Sequence, residues 1–401
     1  MISRGKKNLR QRVAIGSNPE RNRAHNRRVV LEAIRLSEHL GRTEIARRAR
    51  LTPQAVANIV DDLLEEGLLI QRGRLRSGRG QPPIQFALNP DGPMTAGVEI
   101  AADHMVTLMV DLAGTVREQS IVQLTTPGPD VVPALVAREV ERLASGKLLG
   151  VGVVMPGPFE VEGMSSVGPA TLPGWAGVDP GALFTQATGQ YVVVENDATA
   201  AVVGERLYGA GRQLGSFCYL YFGVGLGLGV IQEGRPLRGA FGNAGEIGHV
   251  GLVPRNRAGH YGPAGALERF VSVFALRERL AMAGHAVATA DDIQRLHDAG
   301  DATLAEWIAM AADYLAPTVA MLENIFDPET VIFGGGLPDS VFEAVIAALD
   351  PLPVSVATRR QRSLPRVLRG QSGRLTAALG AAALPLLDTV SPHLSVADPI
   401  G

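Results

Sequence analysis

The chain has 401 residues, 46% of them hydrophobic and 19% charged, with a net charge of −2. This length predicts two or three domains, and the composition excludes a largely disordered protein. The single cysteine, Cys218, excludes an intramolecular disulfide and a cysteine-based zinc cluster. The first 28 residues are rich in Arg, Lys and Asn without an apolar core, which is not the pattern of a secretory signal. The longest apolar stretch, 216–231, is short for a membrane span, so we expect a cytoplasmic protein.

The charge is distributed unevenly along the chain. Residues 1–80 hold 18 Lys and Arg against 8 Asp and Glu, whereas the remainder holds 20 against 32. A basic head on an acidic body predicts that a polyanion binds to the head alone. We expect residues 1–24 to form a basic flexible tail and residues 25–90 to form a DNA-binding domain.

Residues 25–90 show the pattern of a winged helix-turn-helix. Apolar residues at helical spacing over Val29–Leu36 predict a first helix, and Thr43–Ala49 predicts a short second one. Thr52 followed by Pro53 resembles a helix N-cap with proline at the first helical position, so a third helix is predicted from there to about Glu66. Its predicted core face holds Val56, Ile59, Val60, Leu63 and Leu64.

The opposite face of the third helix and the following hairpin are the predicted DNA contacts. The helix presents short side chains suited to base edges in a major groove. The segments Leu68–Ile70 and Ile84–Leu88 are predicted to pair, and their arginine-rich tip, residues 72–83, would reach phosphates or a narrow minor groove. Arg50 stands where such turns usually carry glycine, which predicts a remodelled turn. A generic helical domain with a solvated basic loop is the alternative. The predicted contacts are Thr52, Gln54, Ala55, Asn58, Arg74, Arg76 and Arg79.

Beyond Pro93 the pattern changes to apolar strands with helical stretches between several of them, which predicts an α/β body. One further helix is predicted over Asp301–Asp327, with core packing as its ordinary role. The predicted strands are Ala96–Ile100, Val106–Asp111, Leu148–Val154, Tyr191–Val194, Phe217–Phe222, Gly227–Ile231 and Thr330–Phe333.

Four motifs stand in order in this body: MPGPFEVEG (155–163), VENDATAAVVGE (194–205), FGVGLGLGVIQEGRPLRGAFGNAGEIGHV (222–250) and NIFDPETVIFGGGL (324–337). Together they resemble the ROK family of repressors, open reading frames and sugar kinases, over about residues 23–386. With the head, the chain resembles the branch of the N-acetylglucosamine and xylose repressors. The resemblance implies two actin-like lobes with sugar and ATP in the cleft between them. Lobe 1 would span 91–195, completed by 376–401, and lobe 2 would span 196–375.

The resemblance also implies a sugar site. Asn196 and Asp197 match the Asn-Asp pair that binds sugar hydroxyls, Asp197 being the general base in active members. Glu246, His249 and Glu268 match further sugar contacts. Amide, carboxylate and imidazole groups can satisfy vicinal hydroxyls in pairs. Without the motif order each residue would more often be structural, since an Asn-Asp pair after a strand is usually a turn or a helix cap.

The sequence departs from the family at the phosphate loops. The first loop, Asp-x-Gly-Gly-Thr in the family, is Glu99–Asp103 (EIAAD) here, which removes the glycines and adds a carboxylate. The second, Gly-Thr-Gly, is Gly223–Val224–Gly225. Asp197 alone cannot drive phosphoryl transfer, which depends on positioning and charge stabilisation. We therefore expect no kinase activity.

The family's zinc site is also altered. Members usually ligate zinc with the GH histidine and three cysteines, but the matching stretch here, 259–268, reads GHYGPAGALE. His249 and His260 are too few ligands for a structural zinc, so we expect no metal. Tyr261 and Pro263 would then hold the loop by packing.

Three functions remain open at this stage. The first is a sugar-responsive DNA-binding repressor without catalysis, acting as a homodimer or a higher homo-oligomer. The second is an ATP-dependent sugar kinase with a regulatory DNA-binding head. The third is a regulator whose body binds a partner protein instead of a sugar. The sequence names neither the sugar nor the operator.

Overall fold

A computed structural model describes residues 19–37, 39–74, 83–101, 104–157, 172, 174–175, 177–252, 265–359 and 361–390. These residues fall into two compact units, one up to Asn89 with the end of the last helix from Leu386, the other Pro90–Pro385. None of the helices in these ranges is long and apolar enough to cross a membrane. Several predicted features lie outside the described residues: most of the basic tail, Arg76, Arg79, Ala102, Asp103, His260, Tyr261 and Pro263.

The first unit contains three helices and a small antiparallel sheet of order β1-β3-β2. Apolar side chains of all three helices, among them Ile34, Ile45 and Ile59, are buried. Leu64 is only half-buried, contrary to the prediction, because Leu63 occupies the centre of the helix's apolar face. The elements are α1 Pro19–Arg35, β1 Leu40–Gly41, α2 Arg42–Ala49, α3 Pro53–Glu65, β2 Leu69–Arg74 and β3 Ile84–Leu88.

The connection between α2 and α3 corrects one expectation and confirms another. Arg50 itself adopts the left-handed conformation (φ 52°, ψ 41°), with its backbone N–H donating to the carbonyl of Ala46, so the turn is not remodelled. The Thr52 hydroxyl accepts from the backbone N–H of Ala55 at 3.2 Å, which confirms the predicted cap. Strand β2 continues to Arg74, so Arg72 lies in the strand and not in the tip as predicted.

The second unit begins with a five-stranded sheet of order β6-β5-β4-β7-β8. Strands β4, β7 and β8 run parallel, while β5 and β6 extend the sheet in antiparallel fashion. The elements are β4 Met94–Ile100, β5 His104–Val110, β6 Val116–Gln123, α4 Val132–Leu143, β7 Leu148–Met155, α5 Pro180–Thr188, β8 Val192–Asn196 and α6 Asp197–Tyr208.

The rest of the unit repeats this topology in the order β11-β10-β9-β12-β13. The helix predicted over 301–327 is present as α9 and buries Trp307, Leu315 and Val319. The elements are β9 Phe217–Phe222, β10 Leu226–Gln232, β11 Arg235–Pro236, α7 Val273–Met282, α8 Ala290–Asp298, α9 Ala302–Phe326, β12 Val331–Gly335, α10 Asp339–Ala348, β13 Val367–Arg369 and α11 Thr376–Val390.

The last helix of each repeat packs on the sheet of the other repeat. Helix α6 lies on β9 and β10. Helix α11 lies on the first sheet, where Ala378 and Ala382 share a buried apolar cluster with Val106 and Leu108. The two helices approach closely where Gly380 faces Ala200, since a Cβ on Gly380 would stand 2.1 Å from the Ala200 carbonyl oxygen. The two sheets are thereby connected, because each repeat packs its last helix on the sheet of the other.

Candidate functional site

A cleft of about 840 Å³, including its open mouth, lies between the two sheets. Its walls come from the ends of β4, β7 and β8, the β9–β10 turn, and the loop that follows β11. The carboxyl ends of parallel strands are where α/β proteins generally bind ligands. The polar side chains on its walls are Glu99, Asn196, Asp197, Tyr221, Glu246, His249 and Glu268.

Asn196 serves two purposes at the start of α6. Its Oδ1 accepts from the backbone N–H groups of Ala198 at 2.9 Å and Thr199 at 3.4 Å, which caps the helix. Its Nδ2 points the other way, towards Gly157, where an added Cβ would stand only 2.5 Å from it. The structural role considered for this residue is therefore real, and the amino group remains on the cleft wall.

Asp197, the first residue of α6, has a carboxyl group whose pKa is raised by burial. Burial raises the pKa of its carboxyl to about 6, against hydrogen bonding from the backbone N–H of Ala198, whose distance to Oδ1 is 2.8 Å. At neutral pH this carboxylate is largely ionised but poorly solvated. Hydroxyl donors of a ligand would compensate for the missing water.

His249 stands between two carboxyl groups. Its Nε2 lies 3.6 Å from Glu246 Oε2, and its Nδ1 lies 3.7 Å from Glu268 Oε1. Burial raises the pKa of both glutamates to about 7, with a smaller contribution from Asp197 at Glu246 and from Glu246 at Glu268. Burial also lowers the pKa of His249. The three groups can therefore present both donors and acceptors to a sugar ring near neutral pH.

The loop that carries Glu246 is placed by its neighbours. Gly245 has φ +98°, and a Cβ there would stand 1.9 Å from the carbonyl oxygen of Leu228, so only glycine fits. Arg238 Nε donates to the buried Glu195 Oε2 at 2.6 Å, which ties this loop to β8 beside Asn196. All five predicted sugar residues thus line one cleft.

Tyr221 is a cleft residue that the sequence analysis missed. It lies in the buried strand β9, so its apolar neighbours indicated only a core position. Burial raises the pKa of its hydroxyl well above the ordinary value, and the carboxylates of Glu99 and Asp197 add to this. Its position on the cleft wall could have been inferred only from the pairing of the strands around it.

The end of the cleft formed by the β9–β10 turn has few groups that could bind a phosphate. Val224, at the tip of the β9–β10 turn, is exposed, and the turn is closed by Gly223 N–H donating to Gly225 O at 3.0 Å. No described side chain that lines the cleft is a lysine or an arginine, whereas four are carboxylic acids. This electrostatic environment opposes a polyanion.

The residues present do not fit the zinc site of the family. The only thiol, Cys218, is buried in β9, and burial raises its pKa to about 12. His249 is engaged by two glutamates instead. Over the described ranges, no group of three or more His, Cys, Asp or Glu residues is arranged to hold a metal ion.

In the first unit, α3 exposes a short polar face. Gln54 and Asn58 are exposed and hydrogen-bonded to each other, from Nε2 to Oδ1 at 3.0 Å. Ala55 beside them is half-buried, and the Thr52 hydroxyl is used as the helix cap. Arg74 ends β2, and its side chain lies outside the described residues.

Comparison with known proteins places these features in a family. The ROK family model matches residues 95–386. The chain belongs to the ROK family. This family member is 28% identical over 331 residues to a xylose repressor of Caldicellulosiruptor bescii, which covers 77% of this chain and 82% of that protein.

Two solved ROK structures resemble the chain in fold. One is a ROK family transcriptional regulator, a homologue of the E. coli MLC protein, at 21% identity and TM-score 0.71, covering 92% of this chain and 98% of that one. The other is a Streptomyces griseus ROK glucokinase in complex with glucose and AMPPNP, at 26% identity and TM-score 0.60, covering 73% and 98%. The predicted family and the actin-like α/β body are confirmed.

Proposed function

We propose that this ROK protein is a transcriptional repressor of carbohydrate-related genes. Its first unit would bind operator DNA as a winged helix-turn-helix, and its cleft would bind a monosaccharide or derivative without phosphorylating it. The observation that carries the proposal is the cleft itself, where the five side chains predicted to bind sugar lie together and no described lining residue is a lysine or an arginine that could bind phosphate. The similarity to a xylose repressor supports the same reading.

The DNA-binding part rests on the order of elements and on charge. A short helix, a tight turn and a capped helix precede a hairpin, and α3 exposes uncharged amides near its N-terminus. Such helices contact base edges with their N-terminal residues, and paired half-sites are read by dimers. We therefore propose that a homodimer binds a two-fold symmetric operator. Arg74, Arg76 and Arg79 would contact the phosphate backbone of the DNA.

An active sugar kinase is the second candidate, supported by Asp197 in the cleft and by the similarity to a glucokinase. Phosphoryl transfer requires cations or backbone N–H groups around the transferred group. Here Val224 stands at the family's threonine position, and four acids line the cleft. The charge distribution favours the repressor.

The test combines a sugar panel with DNA. Neutral sugars and their phosphates are screened by thermal shift, since a ligand specific to the native state raises its stability. A stabilising sugar is then titrated with and without DNA selected from a randomised library. We expect the two sugar affinities to differ by the factor by which sugar changes DNA affinity, because coupling is reciprocal.

Three results would contradict the proposal in different ways. Equal sugar affinities with and without DNA would remove the switch. Sugar-dependent ADP release at ordinary kinase rates would establish the kinase instead. DNA release by a cell-extract protein, with no response to any sugar, would favour a body that binds a partner protein.

A further inference from the structure

The pair Gln54 and Asn58 lies one helical turn apart on the exposed face of α3, with the amide of one donating to the amide of the other at 3.0 Å. We infer that these two side chains act as one reader of a single adenine in each operator half-site. The inference rests on the proposed DNA-binding function and adds the identity of the base. In this arrangement the two side-chain amides hydrogen-bond to the major-groove edge of one base.

The chemistry of the pair leaves a defined pattern. Once Gln54 donates to Asn58, the glutamine keeps its carbonyl acceptor and the asparagine keeps its amino donor. Reversing both amides exchanges the two roles but still leaves one acceptor and one donor. In the major groove, adenine alone presents a donor, N6–H, beside an acceptor, N7. Guanine offers two acceptors, cytosine a donor and thymine an acceptor with a methyl group.

The charges along α3 restrict which part of the helix can approach DNA. Residues 53–60 carry no charged side chain, whereas Asp61, Asp62 and Glu65 follow in the second half. Arg42 and Arg23 pair with Asp61 and Asp62, but the exposed Glu65 adds a carboxylate there. The uncharged first two turns are therefore the part best suited to enter a groove. Gln54 and Asn58 are the exposed polar side chains of those turns beyond the cap.

The hydrogen bond between the amides makes the reading cooperative. Each amide restricts the rotamers of the other, so the acceptor and donor are held before DNA arrives. Removing either side chain leaves the other without its orienting partner. Both single variants should therefore lose preference at the same base position, and the double variant should lose little more.

The test selects DNA from a randomised double-stranded library with the full chain. Wild type is compared with Gln54→Ala, Asn58→Ala and the double variant, all of which suit an exposed helix position. Gln54→Glu keeps the shape but leaves two acceptors, which suit cytosine better than adenine. Gln119→Ala, an exposed amide in β6 of the second unit, is the matched control.

We expect the wild type to prefer adenine at one position of each half-site by roughly tenfold to a hundredfold. Each alanine variant should reduce that preference to about threefold or less at that position only, and Gln119→Ala should leave it unchanged. If the two alanine variants lose base preference at different positions of the wild-type motif, or at a G·C pair, the inference is wrong. DNA binding itself would remain supported. Enrichment of no motif by the wild type would overturn both.

Discussion

The two five-stranded sheets of the body share one topology but differ in one edge strand, β6 in the first sheet and β11 in the second. In the first, β6 is eight residues long and runs along the whole of β5. In the second, β11 has two residues and pairs with only the end of β10. The chain released from the second sheet forms the loop of Arg238, Gly245, Glu246 and His249. The residues of the second repeat that are proposed to bind sugar thus lie where it departs from the first.

The helices that end the repeats differ in the same way. Helix α6 follows β8 directly, so its cap Asn196 and its first residue Asp197 open into the cleft. The corresponding α11 follows a loop whose N–H groups at Gln371 and Ser372 donate to the buried Glu205. The start of α6 lines the cleft, whereas the loop before α11 is bound to the carboxylate of Glu205. The residues proposed to bind sugar therefore lie where the two repeats differ.

The largest effects on the free energy of unfolding are expected at glycines where α6 and α11 pack on the two sheets. In Gly152→Ala the new Cβ would stand 1.8 Å from the backbone oxygen of Ala381, so α11 must shift, and we expect a loss of about 3 kcal/mol or more. Gly229→Ala, 2.5 Å from the Ala198 oxygen, should cost less. Gly146→Ala meets nothing within 4 Å and is the control. Urea unfolding measures all three, and equal midpoints for Gly152→Ala and Gly146→Ala would contradict the close packing of α11.

The next effect concerns the first repeat's contribution to the cleft. Asp197→Asn should weaken binding of the stabilising sugar by about 1.5–3 kcal/mol, because a charged acceptor is replaced by a neutral amide. Calorimetry measures the change, and Asp298→Asn, on the exposed end of α8, is the matched control. Unchanged affinity in Asp197→Asn would remove this residue from the sugar site.

Glu246, from the second repeat, should show its effect through pH. Its folded-state pKa of about 7 lies above the ordinary 4.5, so the stability it contributes is present below about pH 4.5 and is lost as the pH rises through 7. Glu246→Gln should therefore stabilise the sugar-free protein at pH 8, by about 1–3 kcal/mol, and not at pH 4.5. Thermal unfolding at the two pH values tests this. A pH-independent difference would show that the carboxyl is not perturbed in the folded protein.

The smallest expected effect is at the link between the repeats. Arg238→Ala removes the partner of Glu195 and loosens the loop that carries Glu246, so sugar affinity should fall by about 1 kcal/mol. Arg238→Lys, which retains the charge, should recover part of it. If both variants bind sugar like the wild type, the loop is held by its glycines and backbone contacts alone.

Much of this protein could be inferred from local sequence. Periodicity, the Thr52–Pro53 cap and the ordered motifs predicted the helices of the head, the long helix α9 and seven strands of the body. Their ends are displaced by at most two residues, except that α1 begins ten residues before the predicted start at Val29. Strands β6, β11 and β13 were not predicted. Strand β6 is mostly exposed and polar, and β11 and β13 have three residues or fewer. None of the three therefore shows the apolar run by which strands were predicted.

What tertiary structure decided is how distant segments meet. Residue identities predicted Asn196 and Glu246 as sugar contacts through the motifs, but only the fold brings His249 between Glu246 and Glu268 and sets Tyr221 on the cleft wall. The raised pKa values of Asp197, Glu246 and Glu268 follow mainly from that burial. Likewise Arg50 adopts a left-handed turn that its residue type disfavours, because the packing of α2 and α3 determines the chain path. Local sequence specifies elements through short-range sterics and hydrogen bonding, whereas a site depends on contacts between residues far apart in the chain.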